Sequence, residues 1–371
     1  MKFTVSSTDF QRGLAKISGV VPSKSTLPIL ENILFDLKKN SLRAVATDLE
    51  VSVSIVIDVK GSEDGTVTIP ARRLLDTLRS LPDVQMIVSV DASSHKVKLM
   101  TDTGEYTIMG ESSEEFPAVP QFKAEHQNQI DIVLLKKIIS GTAFAVSADE
   151  LRPAMTGMLL QVTDKELRAV APDGHRLVRY TTTGLKGLNA IDDVIIPSKA
   201  LSLLAKSMED AQGVMTTNAS HIQFQFGSTT LTSRLIEEKY PNYESVIPLD
   251  NTKTLTIIRE DLLASVRRVA LYSSSTTHQI RFSMKANELR VAAEDVDFGG
   301  EAREKLRCVY DGEEMEIGFN STYIVDLLSH LDADEITFKF SNPVRASVVS
   351  PSSHRTGEDI LMLVMPVRLN A

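Results

Sequence analysis

Apolar residues recur along this chain with two alternating periods. From Phe10 to Ile17 they follow the helical repeat, and Thr8-Asp9-Phe10-Gln11 has the form of a capping box that opens the helix. Ile33 to Leu37, Leu42 to Ala46 and Val51 to Ile57 then alternate with period two, as half-buried strands do, with Lys39-Asn40 as a turn between the first pair. An amphipathic helix after a short strand returns at Leu134 to Ile139 and at Leu262 to Val269, in steps of about 125 residues, a domain-sized period.

Two further landmarks keep the same order. Ile69-Pro70-Ala71-Arg72-Arg73 resembles Ile196-Pro197-Ser198-Lys199-Ala200, with proline at a helix start, and Gly318-Phe319-Asn320-Ser321 is a third copy opened by an Asn or Ser cap. Phe116-Pro117-Ala118-Val119-Pro120, Tyr240-Pro241-Asn242-Tyr243 and Met365-Pro366-Val367-Arg368-Leu369 close the units. The pattern predicts three domains, 1–124, 125–250 and 251–371. Each holds two helices and six to eight antiparallel strands in an α+β layer arrangement. Three such domains in a row leave sheet edges exposed at both ends, and a head-to-tail contact between two copies predicts a closed homodimer.

Composition narrows the class. The chain has 371 residues, 42% hydrophobic and 24% charged, with no low-complexity tract. Its longest apolar run, Ile360 to Val367, is too short for a membrane span, and the N-terminus turns polar too soon for a secretory signal, so a cytoplasmic protein with no membrane partner is expected. The single cysteine, Cys308, excludes an intramolecular disulfide, and its alternating surroundings predict a buried or half-buried thiol. No histidine pair has helical ligand spacing, so neither a metal nor a cofactor is expected.

Net charge is −9, yet the helices carry a disproportionate share of the positive residues. Arg12 and Lys16, then Arg72, Arg73 and Arg79, then Lys136 and Lys137, Lys199 and Lys206, and Arg267 and Arg268 fall on five of the six helices, with Lys24 in the loop after the first. One such face is an ordinary solvated helix. Five together predict a basic lining that meets phosphates without reading bases. The sixth helix, Ser321 to Leu331, has no Lys or Arg.

The densest chemistry lies at Pro172-Asp173-Gly174-His175-Arg176-Leu177. Asp173, His175 and Arg176 would be the acid, base and cation of a DNA-processing enzyme. They lack a nucleophile, a metal site or a phosphate cradle, and residues this close around an Asp-Gly turn more often satisfy local hydrogen bonds. A scaffold without DNA contact is the other alternative. As a recognition surface, Leu177, Val178, Met155, Val246 and the run Leu363 to Val367 would supply apolar contacts and His175 with Arg176 a polar rim. The bland reading of the terminal run is an edge strand.

Six segments in register resemble the bacterial DNA polymerase III beta subunit family, the sliding clamps. They are Met1 to Val5, Thr26 to Leu30, Thr47 to Glu50, Asp173 to Leu177, Tyr240 to Tyr243 and Met365 to Leu369. The resemblance implies a ring-shaped homodimer around double-stranded DNA that tethers the polymerase and catalyses nothing. It implies a pocket for short motifs of the polymerase alpha subunit, the clamp loader delta subunit and other replication and repair proteins. On one side of that pocket it places Met155, Pro172, Gly174, His175, Arg176, Leu177, Pro241 and Val246. On the other it places Val344, Ala346, Leu363, Val364, Met365, Pro366, Val367 and Arg368. DNA contacts fall on Lys24, Arg72, Arg73 and Lys199, and subunit contacts on Tyr106 and Ile108 at one end and Leu271 and Tyr272 at the other. Pro172, Ser245, Asp149, the loop Ser352 to Glu358 and the added Asn370 and Ala371 depart from the family pattern.

Overall fold

In this computed structural model, residues 1–118, 123–185, 187–207 and 212–369 are described. Val119 and Pro120 of one landmark, and Asn370 and Ala371, lie outside them. Six helices are each entered directly from a strand: α1 (Ser7–Ser18), α2 (Ala71–Ser80), α3 (Ile132–Thr142), α4 (Ser198–Ser207), α5 (Arg259–Ala270) and α6 (Ser321–His330). α1 begins earlier than its expected capping box, because Ser6 is the cap and its hydroxyl accepts from the Asp9 N–H at 3.3 Å. In α6 the Asn320 side chain accepts from the Thr322 N–H at 2.9 Å, so the expected Asn cap is present. Pro70 takes the cap position of α2.

Two compact units emerge, Met1–Lys136 with Lys199–Leu235, and Lys137–Ser198 with Ile236–Ala371. Each contains two antiparallel sheets. The cause of the division is strand pairing across repeats. In the first unit Thr229–Arg234 of the middle repeat pairs with Val51–Asp58 of the first, building an eight-stranded sheet. In the second, Arg176–Thr183 of the middle repeat pairs with Glu358–Val364 of the third, building a nine-stranded sheet. Among the described residues the outer repeats carry nine strands each rather than six to eight, because Lys60–Glu63 and Val309–Asp311 add short edge strands.

The chain covers an internal sheet edge just before the closing segment in the first two repeats, and within it in the third. Thr68 and Glu111 exchange backbone hydrogen bonds at 3.1 and 3.0 Å, the Ile236 N–H donates to the Ile195 carbonyl at 3.0 Å, and the Val367 N–H donates to the Gly318 carbonyl at 2.9 Å. In all three repeats the covered strand is the one that leads into the second helix. The expected terminal edge strand is therefore corrected: Leu363 and Val364 sit in an interior strand, paired on one side with Arg176–Thr183 and on the other with Ser347–Pro351. Only the residues beyond them leave the sheet, to reach Gly318.

Aromatic side chains fill the outer repeats in matching fashion. Phe10 of α1 lies 5.9 Å from Phe3 and 5.8 Å from Phe35, ring to ring, and Phe282 lies 5.4 Å from Phe319 and 6.2 Å from Phe338. Each buried ring contributes on the order of 2 kcal/mol by leaving water. Cys308 is half-buried between two strands, and burial pushes its thiol above the usual range.

Gly318 makes the tail's approach feasible, since a Cβ there would stand 2.7 Å from the Val367 carbonyl oxygen. Gly318→Ala should cost about 1–3 kcal/mol in urea unfolding and release the Val367 amide to hydrogen exchange. Unchanged protection of that amide would contradict this account of the tail.

Candidate functional site

The strands Glu166–Pro172 and Arg176–Thr183 form a hairpin whose turn is Asp173-Gly174-His175. Gly174 takes φ +93°, where side chains are strained, and a Cβ would stand 2.8 Å from Arg152 Nη1. One Asp173 oxygen accepts from the His175 and Arg176 N–H groups, both at 2.8 Å, and the other from Arg176 Nε at 2.9 Å. The acid is fully engaged in holding its own turn. Pro172 costs the hairpin nothing, because pairing of the preceding strand Gly157–Val162 stops at Leu159 and Val170, before a donor at 172 is needed.

Arg176 does not form the expected polar rim. Its side chain is only 9% exposed, donating from Nη1 to Asp326 at 2.6 Å and from Nη2 to the Phe144 carbonyl at 3.0 Å, besides its bond to Asp173. The guanidinium lies 4.9 Å from the Tyr323 ring centroid and 5.4 Å from that of Phe144, so both aromatic faces offer it negative potential. His175 stacks on Tyr323 at 5.7 Å and His330 on Phe144 at 4.1 Å. Burial, then the Asp173 charge, pushes the Tyr323 phenol up. A buried cation must be paired, and two carboxylates, a carbonyl and two rings meet that need. Among the described residues no three His, Cys, Asp or Glu side chains gather to hold a metal. The cluster is a clasp and not a reaction centre.

Beside the turn lies a hydrophobic cluster of Leu159, Val170, Leu177, Ile195, Tyr243, Ala346 and Leu363, with Ala154, Tyr240 and Ile247 packed against it. The Met365 N–H donates to the His175 carbonyl at 2.7 Å, so the tail and the turn meet. Of the candidate pocket residues, Pro172, Leu177, Ala346, Leu363 and Val364 are buried; Gly174, His175, Pro241, Val246, Val344 and Met365 are exposed; and Met155, Pro366 and Val367 are half-buried. Arg368 is exposed. The result is a buried apolar floor, and exposed Val246, Val344 and Met365 lie within two residues in sequence of Ile247, Ala346 and Leu363, which belong to it or pack against it. Ser245 donates to the Asn242 carbonyl at 2.7 Å and steadies the short helical turn Tyr243–Val246.

Phe144, Tyr323, Asp326 and His330 escaped the sequence reading. A signal existed for three of them: positions 323, 326 and 330 fall on one face of α6 by helical spacing. Phe144 offered none, because its contact is long-range.

The basic residues are less free than their number suggests. Arg12 pairs with Asp9, Arg79 with Asp76, Lys137 with Glu358 at 2.6 Å, Lys199 with Asp48, and Arg268 with Glu304. The pairs exposed on both sides, Arg12–Asp9 and Arg79–Asp76, are worth about 0–1 kcal/mol, so phosphates can displace them, whereas half-buried Lys137 is held and Lys199 faces a largely buried Asp48. Asp149 is bonded by Arg152 at 2.8 Å, which holds its carboxyl below the usual range. Lys24 is exposed.

Arg72 and Arg73 share a cavity of about 820 Å³ with Tyr106, Ile108 and Met109, formed between α2 and the strand Glu105–Met109. Ile108 is 2% exposed and forms its base, while Tyr106 and Met109 are exposed. Glu105–Met109 ends the five-stranded sheet, and Gly300–Arg307, a longer strand with no fully buried residue, ends the four-stranded sheet. Leu271 and Tyr272, both exposed, follow α5, and Gly300 sits against the Tyr272 ring.

Three family models match the chain in succession: the N-terminal domain of the DNA polymerase III beta subunit over residues 1–120, its central domain over 129–242 and its C-terminal domain over 244–368. The chain belongs to the DNA polymerase III beta subunit family. The beta sliding clamp of Pseudomonas aeruginosa is 30% identical over the whole of both chains, and that of Chlamydia muridarum 28%. Crystal structures of the sliding clamps of Pseudomonas aeruginosa and Bartonella birtlesii, each bound to griselimycin, superpose with a TM-score of 0.93 over both full chains at 30% identity. The chain is thus a sliding clamp subunit, a processivity factor of DNA polymerase III that catalyses nothing, built from three clamp domains. Sliding clamps bind DNA and a polymerase and form homodimers. Among the described residues no helix is long and apolar enough to cross a membrane.

Arg176→Ala leaves Asp173 and Asp326 without their buried cation and should cost about 3–5 kcal/mol in urea unfolding. Lys199→Ala removes a half-exposed ammonium from Asp48, which keeps the Glu50 and Val51 N–H groups as donors, and should cost about 1 kcal/mol. Equal losses would show that Arg176 is not a buried clasp.

Proposed function

We propose that two copies of this chain close head to tail around duplex DNA in the cytoplasm and carry the polymerase along it, with domains divided at 124/125 and 250/251. The observation that carries the reading is the pair of unpartnered sheet ends. Glu105–Met109 and Gly300–Arg307 each offer a row of backbone donors and acceptors, and antiparallel pairing between copies satisfies both at once. In that arrangement Leu271 and Tyr272 of one copy fill the cavity that Tyr106 and Ile108 line in the other.

The helices, with the loop after α1, then present Lys24, Arg72, Arg73 and Lys199 to phosphates, a contact that tolerates sliding because it reads no base edges. Arg72 and Arg73 serve both the DNA side and the rim of the subunit cavity. The apolar floor at Leu177 and Leu363, with Val246, Val344 and Met365 near it in sequence, takes short apolar motifs of the alpha subunit, the clamp loader delta subunit and other clamp-binding proteins. Its exposed hydrophobic side chains support this use, since such a patch beside a rigid hairpin is what a peptide site requires. Griselimycin, found on two solved relatives, serves as its probe.

One experiment separates the two surfaces. Val246→Asp should weaken griselimycin and alpha-subunit binding at least about tenfold while leaving DNA affinity and its salt dependence unchanged. Lys24→Glu combined with Lys199→Glu should do the reverse, lowering the salt slope of DNA binding by about 2. Loss of both activities in either variant would refute the assignment of separate surfaces.

A further inference from the structure

Asp326 lies on α6, outside the apolar floor, yet it reaches across 150 positions of sequence to the Arg176 guanidinium at 2.6 Å. We propose that Asp326 is a positioning residue for peptide binding: through Arg176 it fixes the Asp173 to Leu177 turn in the place that the pocket needs. The inference rests on the pocket assignment above and adds a residue to it.

The pocket's two walls are the hairpin turn and the chain's tail. They meet at the hydrogen bond from the Met365 N–H to the His175 carbonyl, which extends the ladder pairing Arg176 with Val364 and Leu177 with Leu363. The tail is also tied to the strand Met315–Asn320 through Gly318, and that strand runs directly into α6. The turn is tied to α6 itself through Arg176 and Asp326. Beyond the sheet ladder that they share, both walls are therefore tied to a single strand and helix.

The bond from Arg176 to Asp173 cannot do this. It joins residues three apart, so it shapes the turn without placing it. The Phe144 and Tyr323 rings both lie close to the guanidinium, and Asp326 supplies the charge-assisted bond that ties it to α6. α6 carries no Lys or Arg, and its His330 engages the Asp326 backbone carbonyl, at 2.8 Å, rather than the carboxylate. A wall held in its bound position costs a ligand less ordering entropy, so the effect is read as affinity.

The test titrates griselimycin into the full-length protein by calorimetry and follows amide exchange in the unliganded state. Asp326→Asn removes the charge at constant size, and affinity should fall about tenfold, or 1.4 kcal/mol. The Met365 amide should lose protection while the sedimentation of the dimer is unchanged. Asp326→Glu should restore affinity to within about threefold, and a purely local packing role would not produce that rescue. Should Asp326→Asn fail to fold, Phe144→Leu, which keeps a large apolar side chain but removes one aromatic ring from beside the guanidinium, should weaken griselimycin in the same direction. Wild-type affinity in Asp326→Asn, with binding lost in Val246→Asp, would overturn the role of Asp326 and leave the pocket standing. Wild-type affinity in both would overturn the pocket assignment and this inference with it.

Discussion

Edge pairing is the constraint on which the structure depends. A strand at the end of a sheet exposes backbone groups that must find water or a partner, and long unprotected edges invite uncontrolled association. This chain manages its edges in three ways. The middle repeat joins its strands to sheets of both neighbours, a residue at or just before the closing segment of each repeat covers the strand before its second helix, and two of the remaining edges are kept to three or four residues. Glu105–Met109, of five residues, and Gly300–Arg307, of eight, also end sheets and are flanked by exposed apolar side chains. These are the edges proposed to join two copies.

The polar cluster at the centre of the chain follows from the same economy of structure. Asp173, His175 and Arg176 have the side chains of a reaction centre, but every strong group is committed: the acid to its own turn, the guanidinium to two carboxylates, a carbonyl and two rings. Such groups are poor at proton transfer and good at fixing position, because moving either charge leaves the other buried and unpaired. A rigid turn beside an apolar floor suits a protein that holds partners without transforming them.

Much of this was legible in sequence, and the limits have physical causes. The three-part repeat was readable because helix starts, Pro or Asn caps and closing segments are local signals that survive low identity. The start of α1 was misplaced because Ser6 and Thr8 are both competent caps, and only the geometry at Asp9 chooses between them. The tail read as an edge strand because its partners, Arg176–Thr183 and Ser347–Pro351, lie at sequence separations that periodicity does not register. Within the candidate site, Val246, Val344 and Met365 emerged as exposed apolar residues. Arg176 was misjudged because the carboxylate that buries it, Asp326, sits on a distant helix, and pairing across that distance leaves no local pattern. The basic helix faces were read correctly as basic, but not as paired, because Asp48 and Glu358 approach Lys199 and Lys137 only through tertiary structure.

The central claim is that these two sheet edges close a ring through which DNA passes, so the link to DNA is topological rather than adhesive. Loading the dimer onto nicked circular DNA, then cutting the circle in buffer of high ionic strength, tests this directly. Retention on the intact circle followed by release on linearisation is the expected result. Equal retention on circular and linear molecules, or loss from both as salt rises, would contradict it.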